Sequence, residues 1–79
     1  MTLDGFESGR TARILSVDWA SLAVDEGKRL KALGIDEGAE VAVIHRGVFG
    51  GRDPLAVRLG NMTVALRRVH AHAIAVEPV

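Results

Sequence analysis

Apolar and polar residues alternate along much of this chain, which is the pattern of β-strands that bury one face. The alternation predicts strands at 40–45, 54–59 and 62–67, and a shorter one at 73–77. The run at 11–18 does not alternate cleanly, which indicates a strand with a bulge or with both faces buried. The expected inward positions of the two best-patterned strands are Leu55, Val57, Leu59, Met62, Val64 and Leu66.

Gly60 and Asn61 are the two residues that separate the strands at 54–59 and 62–67. Both residue types tolerate a positive φ, and a two-residue loop of this kind is typical of a β-hairpin. We therefore expect an antiparallel hairpin in which Gly60 has a positive φ. A single helical turn is expected at 69–72, after the hairpin.

One segment has a helical rather than a strand period. Between residues 22 and 33, charged residues crowd one side, while apolar residues such as Leu30 and Leu33 recur at a spacing of about 3.6. Gly34 supplies the left-handed residue that commonly ends a helix. Five short strands and one helix predict a mainly β fold, a closed or nearly closed five-stranded barrel with the helix inserted between the first two strands.

Length and composition exclude several classes of protein. A chain of 79 residues suffices for one small domain, expected to span 1–79, and buries only about 60 % of its unfolded surface. Ten basic and ten acidic residues cancel, so no bulk charge attracts nucleic acid or anionic membrane. The absence of cysteine fits a reducing compartment. No apolar run approaches the roughly 20 residues that cross a bilayer, and residues 1–10 lack the pattern of a signal peptide.

No combination of residues predicts catalysis. The serines lie in no nucleophile-elbow context. Gly27 and Lys28 do not complete a phosphate-binding loop, because Leu22 occupies the position of its first glycine and Arg29 that of its serine or threonine. The chain is therefore predicted not to be an enzyme and to carry no cofactor.

His70 and His72 form the strongest candidate metal site. Alternate residues of a strand share a face, and imidazole is a common ligand of metal ions. Two histidines without adjacent cysteine or carboxylate are too few for a dedicated site, however. The preferred interpretation is a turn from which both side chains diverge into solvent, so His70 and His72 are kept as weak metal candidates.

Two aromatic residues are candidates for contact with a partner protein. Trp19 ends the first strand ahead of the helix, and Phe49 lies in a glycine-rich stretch between two strands. A small core would not cover residues in such places, and exposed aromatic side chains commonly anchor protein contacts. The alternative for both residues is to cap the barrel.

The order and spacing of several short motifs resemble those of the FeoA family, ferrous iron transport protein A, over nearly the whole chain. The matching motifs are Gly9 with Ala12-Arg13-Ile14, Arg29-Leu30 followed by Leu33-Gly34-Ile35 and Gly38, Val41 with Val43, Asp53-Pro54, Leu66-Arg67, and Ala71 with Ile74 and Val76. Two departures fall in one loop. Arg52 stands where the family has a glycine before Asp-Pro, and Val48-Phe49 replaces its Ala-Pro.

The resemblance implies a five-stranded SH3-like barrel, in agreement with the alternation of residues. It also implies a small cytoplasmic accessory protein of ferrous iron transport, which acts by binding the cytoplasmic regions of the FeoB-type transporter. That partner is a membrane protein with a GTP-binding domain, and the chain would reach the membrane only through it. Self-association is compatible with this reading.

Two other classes of function stay open at this point. One is a nucleic-acid or ribosome-associated SH3-like module that uses a strip of arginines formed by Arg52, Arg58, Arg67 and Arg68. Zero net charge and the near absence of stacking aromatics disfavour it, so no nucleic-acid partner is expected. The other is a weak direct iron-binding protein that uses His70 and His72.

Overall fold

The computed structural model describes residues 1–46 and 53–79. Its elements are a 3₁₀ turn at Leu3–Gly5, β1 at Thr11–Val17, a second 3₁₀ turn at Trp19–Ser21, α1 at Val24–Leu33, β2 at Glu40–Arg46, β3 at Leu55–Leu59, β4 at Met62–Leu66, α2 at Arg68–Ala71 and β5 at Ile74–Pro78. The predicted strands and helices are confirmed, with ends that differ by one or two residues. Neither 3₁₀ turn is predicted by the sequence patterns.

A single antiparallel sheet contains the five strands in the order β4-β3-β2-β1-β5. Its register shifts between Ile14 and Ser16 on β1 and between Val43 and His45 on β2, and such bulges bend a strand. The bulge in β1 confirms the expectation from its irregular alternation. The fold is mainly β with α1 inserted between β1 and β2, as predicted. Among the described residues no ladder joins β4 to β5, so these two strands remain the edges of the sheet.

The hairpin between β3 and β4 is confirmed. Leu59 pairs with Met62, which leaves Gly60 and Asn61 as the two loop residues. Gly60 has a φ of +61°, whereas no non-glycine residue among those described has a positive φ. A positive φ at the first central residue alone is typical of a type II′ turn, which matches the twist of the flanking strands.

The helix α1 ends as predicted, at a glycine in the left-handed conformation. Gly34 has a φ of +103°, and the N–H of Ile35 donates to the carbonyl oxygen of Leu30 at 3.0 Å. This closing turn places Leu30 and Ile35 side by side in the core, where both are fully buried. The helix begins at Val24 rather than at residue 22, because the second 3₁₀ turn takes up the preceding residues.

The core combines the inner face of the sheet with residues from the N-terminal 3₁₀ turn. Leu3 and Phe6 are 0 % and 2 % exposed, so this short segment closes one end of the core. The remaining buried residues are Ala12, Ile14, Val17, Leu30, Ile35, Val41, Val43, Leu55, Val57, Leu59, Leu66, Ala71, Ile74 and Val76. Leu3 and Phe6 are only two apolar residues, three positions apart, and therefore form no periodic pattern. For this reason the sequence does not indicate that they are buried.

The prediction that β4 buries Met62, Val64 and Leu66 is wrong at its first position. Leu66 is fully buried and Val64 half-buried, but the Met62 side chain is 42 % exposed. The reason is the place of β4 in the sheet: as an edge strand it has no further neighbour whose side chains could cover Met62.

Candidate functional site

Trp19 lies where the chain leaves β1 for α1. The N–H of Asp18 donates to the carbonyl oxygen of Ala73 at 2.8 Å, which holds the end of β1 before the second 3₁₀ turn begins. The Trp19 side chain is half-buried and packs against the core. The ring lies against α1 at Gly27, where a Cβ would stand 3.5 Å from Cε3 of Trp19, an ordinary van der Waals contact. Trp19 thus covers part of the core and stays partly accessible.

An open groove of about 250 Å³ runs between Trp19 and α1. Its lining residues are Trp19, Leu22, Ala23, Val24, Gly27, Lys28 and Lys31. The Lys31 Nζ stands 5.0 Å from the centroid of the Trp19 ring, within the range of a cation–π contact. Val24 is 73 % exposed. An apolar surface beside two ammonium groups suits an apolar side chain of a partner with a carboxylate next to it.

The two histidines sit on or beside the short helix α2, whose first N–H, that of Arg68, donates to Oδ1 of Asp53 at 2.7 Å. His70 Nδ1 lies 3.6 Å from Oε1 of Glu26 on α1, and His72 Nδ1 lies 3.2 Å from Oδ2 of Asp4. Residues two apart in a helical turn point about 200° apart, so these side chains diverge. His72 faces solvent as expected. The same expectation is wrong for His70, whose side chain is 16 % exposed.

Neighbouring groups lower the pKa of both carboxylates that face the histidines. The hydrogen bonds from Arg29, whose Nε donates to Glu26 at 2.8 Å, lower the pKa of Glu26 against the opposing effect of burial. Burial raises the pKa of Asp4, but hydrogen bonds from Thr2 and His72 outweigh it, so the pKa lies below its ordinary value of 3.8. Both carboxylates are therefore anionic at neutral pH, and they tie α2 to α1 and to the N-terminal turn.

The histidines do not share a ligand set. In 1–46 and 53–79, no three or more His, Cys, Asp and Glu side chains come together in a way that could hold a metal ion. His70 Nδ1 is buried and has no hydrogen-bond partner in that part of the chain. Each histidine thus has one carboxylate neighbour on a different element, and within the described residues the two side chains share no ligand set for a metal ion.

The other sequence candidates are placed as follows. Phe49 and Arg52 lie outside the described residues. Arg58 and Arg67 are exposed, and Arg68 Nε lies 4.0 Å from Oδ2 of Asp4. No helix in the described part of the chain is long and apolar enough to cross a bilayer.

The sequence patterns do not indicate Asp4 or Glu26 as partners of the histidines. Asp4 lies 68 residues from His72 along the chain, and no local pattern connects such positions. The buried residues Leu3 and Phe6 anchor the turn that carries Asp4, and they too lie outside any periodic pattern of the sequence.

Comparison with known families identifies one domain over almost the entire chain. The family model of the FeoA domain matches residues 1–78. No curated protein sequence matches this chain.

Solved structures with the same fold include three that bear the FeoA or iron(II) transport name. Iron(II) transport protein A of Clostridium thermocellum is 26 % identical with a TM-score of 0.84; the match covers 100 % of this chain and 46 % of that one, so this chain spans less than half its length. FeoA of Chlorobium tepidum is 29 % identical with a TM-score of 0.84, and the match covers 100 % of this chain and 70 % of that one. FeoA of Stenotrophomonas maltophilia is 33 % identical with a TM-score of 0.78, and the match covers 98 % of this chain and 89 % of that one.

The last of these proteins is described as a prokaryotic SH3 domain protein complexed with zinc, with a suggested role as a ferrous iron transport activating factor. The SH3-like character of the fold is thereby confirmed. A manganese-dependent transcriptional repressor shares the fold alone: it is 20 % identical with a TM-score of 0.81, and the match covers 100 % of this chain and 41 % of that one.

Proposed function

Because the chain belongs to the FeoA domain family, we propose that it is a cytoplasmic accessory protein of ferrous iron transport. The observation that carries the proposal is the family match over residues 1–78. The similarity to proteins described as iron(II) transport protein A and as a transport activating factor supports it further. In this role ferrous iron is the cargo of the transport system rather than a cofactor of this chain.

The chain acts by binding the cytoplasmic regions of a FeoB-type transporter and has no catalytic activity of its own. Its formal net charge of zero gives no general attraction to nucleic acid or to anionic lipid, so a specific protein contact must supply the affinity. The chain reaches the membrane through that contact. The divergence of His70 and His72 argues against the alternative of direct iron binding by this pair.

Trp19 and Phe49 are the residues we propose for the contact. The groove beside Trp19 supports this, because it joins an accessible aromatic edge to two lysines on one side of α1. Large aromatic side chains carry much of the energy of protein interfaces when a partner covers them. Phe49 remains a proposed contact residue because it lies in a glycine-rich stretch, where neighbouring side chains offer little cover and a partner could bury the ring.

Uptake of radiolabelled Fe²⁺ by cells tests the proposed function. We expect deletion of the gene for this chain to lower Fe²⁺ uptake several-fold while Mn²⁺ uptake, the matched control, stays unchanged. Expression of the wild-type chain should restore Fe²⁺ uptake. Equal Fe²⁺ uptake with and without the chain would contradict the proposal.

The same assay separates the contact residues from the scaffold. Trp19→Phe keeps an aromatic ring and should restore uptake better than Trp19→Ala. Leu15→Ala is a suitable control, because Leu15 is an apolar residue of β1 that is 50 % exposed. If Leu15→Ala impairs uptake as much as Trp19→Ala and Phe49→Ala do, general loss of apolar surface explains the effect and the assignment is wrong.

A further inference from the structure

The two edges of the sheet differ in how they are covered. At the β5 edge, Val76 N–H donates to the carbonyl oxygen of Met1 at 2.9 Å, and Thr2 forms a bridge with Ala75. The N-terminal residues therefore act as a short additional strand on β5. At the other edge, β4 pairs with β3 alone among the residues that the structure describes.

The hairpin fixes which backbone groups of β4 point away from β3. In a two-residue hairpin the residues that flank the loop, Leu59 and Met62, form a hydrogen-bonded pair, and the pairs then alternate. Val64 and Leu66 therefore bond to β3, and the N–H and C=O groups of Thr63 and Ala65 point outward. No backbone group within 1–46 or 53–79 pairs with these groups. They are a template for one more strand.

The edge strand lacks the features that normally block such pairing. Its five residues, Met62 to Leu66, include no charge and no proline, and its register with β3 is unbroken. On the face that buries Leu66, Met62 stays 42 % exposed and Val64 half-buried. An additional strand with apolar residues on this face would cover both.

The opposite face of the hairpin is basic. Arg58 pairs with Thr63, Arg67 follows the strand, both are exposed, and neither forms an ion pair with another described residue. No acidic residue occurs from residue 54 to residue 76. The Glu26 carboxylate accepts its hydrogen bonds from Arg29, which lower its pKa most, and Arg67 adds only a weaker, longer-range charge effect on that pKa.

We propose that the β4 edge binds an extended peptide segment of a partner that alternates apolar and acidic residues. Its backbone pairs with Thr63 and Ala65, its apolar side chains cover Met62 and Val64, and its carboxylates face the arginines. A second copy of this chain is a poorer occupant, because it would bring further arginines and no carboxylate to the basic face. The inference rests on the proposed function only in assuming that the chain works by binding a protein.

Fluorescence anisotropy with a labelled synthetic peptide that alternates valine with glutamate tests the proposal. Ala65→Pro removes an outward N–H without removing a hydrogen bond to β3, and edge strands tolerate proline at such a position. Ala65→Thr is the matched control, because it keeps the N–H. We expect saturable peptide binding to the wild type, unchanged binding to Ala65→Thr, and affinity lowered about tenfold or more in Ala65→Pro.

Charge gives a second readout. Arg67→Gln should weaken the glutamate peptide several-fold and reduce the salt dependence of its binding, and a valine–lysine peptide should not bind. In the wild type, the amide protons of Thr63 and Ala65 should exchange more slowly once the glutamate peptide is added. Because amide exchange is measured in the wild type, it shows whether the peptide pairs with the β4 edge even if Ala65→Pro is unfolded.

Three results would overturn the proposal: unchanged amide exchange at Thr63 and Ala65, equal binding of the glutamate and lysine peptides, or wild-type affinity in folded Ala65→Pro. Sedimentation equilibrium tests whether a second copy of this chain occupies the β4 edge instead. Dimers of the wild type that Ala65→Pro abolishes, with no peptide binding, would assign the edge to a second copy instead. The designed peptide contains no transporter sequence. A lack of peptide binding would therefore not affect the proposed role in Fe²⁺ uptake, and unchanged Fe²⁺ uptake would not affect the proposal that the β4 edge binds a peptide.

Discussion

Replacement of Gly60 by valine changes the backbone preference of the β3–β4 turn while leaving its packing alone. Gly60 has a φ of +61°, a conformation that β-branched residues rarely adopt. A Cβ at this position would meet no other atom within 4 Å. Any loss of stability in Gly60→Val therefore reports the cost of the positive φ rather than a steric clash with the core.

The magnitude follows from that conformational cost. A non-glycine residue held in the left-handed region costs about 1–3 kcal/mol, and valine lies at the upper part of this range. Valine also restricts the unfolded chain, which offsets about 0.4–1 kcal/mol. For a chain of 79 residues, 1 kcal/mol corresponds to about 4–8 °C, so we expect Tm to fall by about 4–20 °C.

Thermal and urea unfolding followed by circular dichroism measure the effect. Gly5→Ala is the matched control, because Gly5 has no positive φ and a Cβ there also meets no atom within 4 Å. It should change the free energy of unfolding by less than about 0.5 kcal/mol. An unchanged unfolding midpoint in Gly60→Val would refute the turn assignment, and an equal loss in Gly5→Ala would refute the reasoning from φ.

Three further predictions concern the N-terminal turn, pH and metal. Phe6→Ala should lower the free energy of unfolding by about 3–5 kcal/mol in urea, because the ring is 2 % exposed; a loss below about 1 kcal/mol would contradict its place in the core. The pKa of Asp4 is lowered in the folded state, so the stability that this carboxylate contributes is present above pH 3.8 and lost as pH falls below it. The difference in unfolding free energy between wild type and Asp4→Asn should therefore shrink below that pH, and a constant difference would contradict the pairing of Asp4 with Thr2 and His72. Calorimetric titration of the isolated chain with Fe²⁺ should show no tight binding; stoichiometric micromolar binding that His72→Ala abolishes would be the contrary result.

The strands were predictable because burial of one sheet face imposes a period of two on the residues themselves. The hairpin was equally local, since a two-residue loop containing Gly60 determines its own register. The exposure of Met62 was not predictable in this way. It depends on β4 being the last strand in the sheet, which is a property of the sheet order rather than of the strand.

The surroundings of the histidines were harder to predict for the same reason. On a strand, His70 and His72 would share one face, whereas the expected helical turn separates them. In that turn each side chain meets a carboxylate from a distant segment, Glu26 or Asp4. Contacts of such sequence separation carry no periodic signal. The sequence marks Trp19 as a candidate because an aromatic residue at the end of a strand falls outside the alternating pattern, and its role in a contact stays a prediction.

We propose above all that this chain works by binding the ferrous iron transporter. Titration of the purified chain onto the detergent-solubilised FeoB-type transporter, followed by biolayer interferometry, tests it most directly. We predict saturable binding that Leu15→Ala leaves unchanged and that folded Trp19→Ala and Phe49→Ala each weaken about tenfold or more, as expected of residues at the centre of an interface. Absence of saturable binding by the wild-type chain would contradict the account.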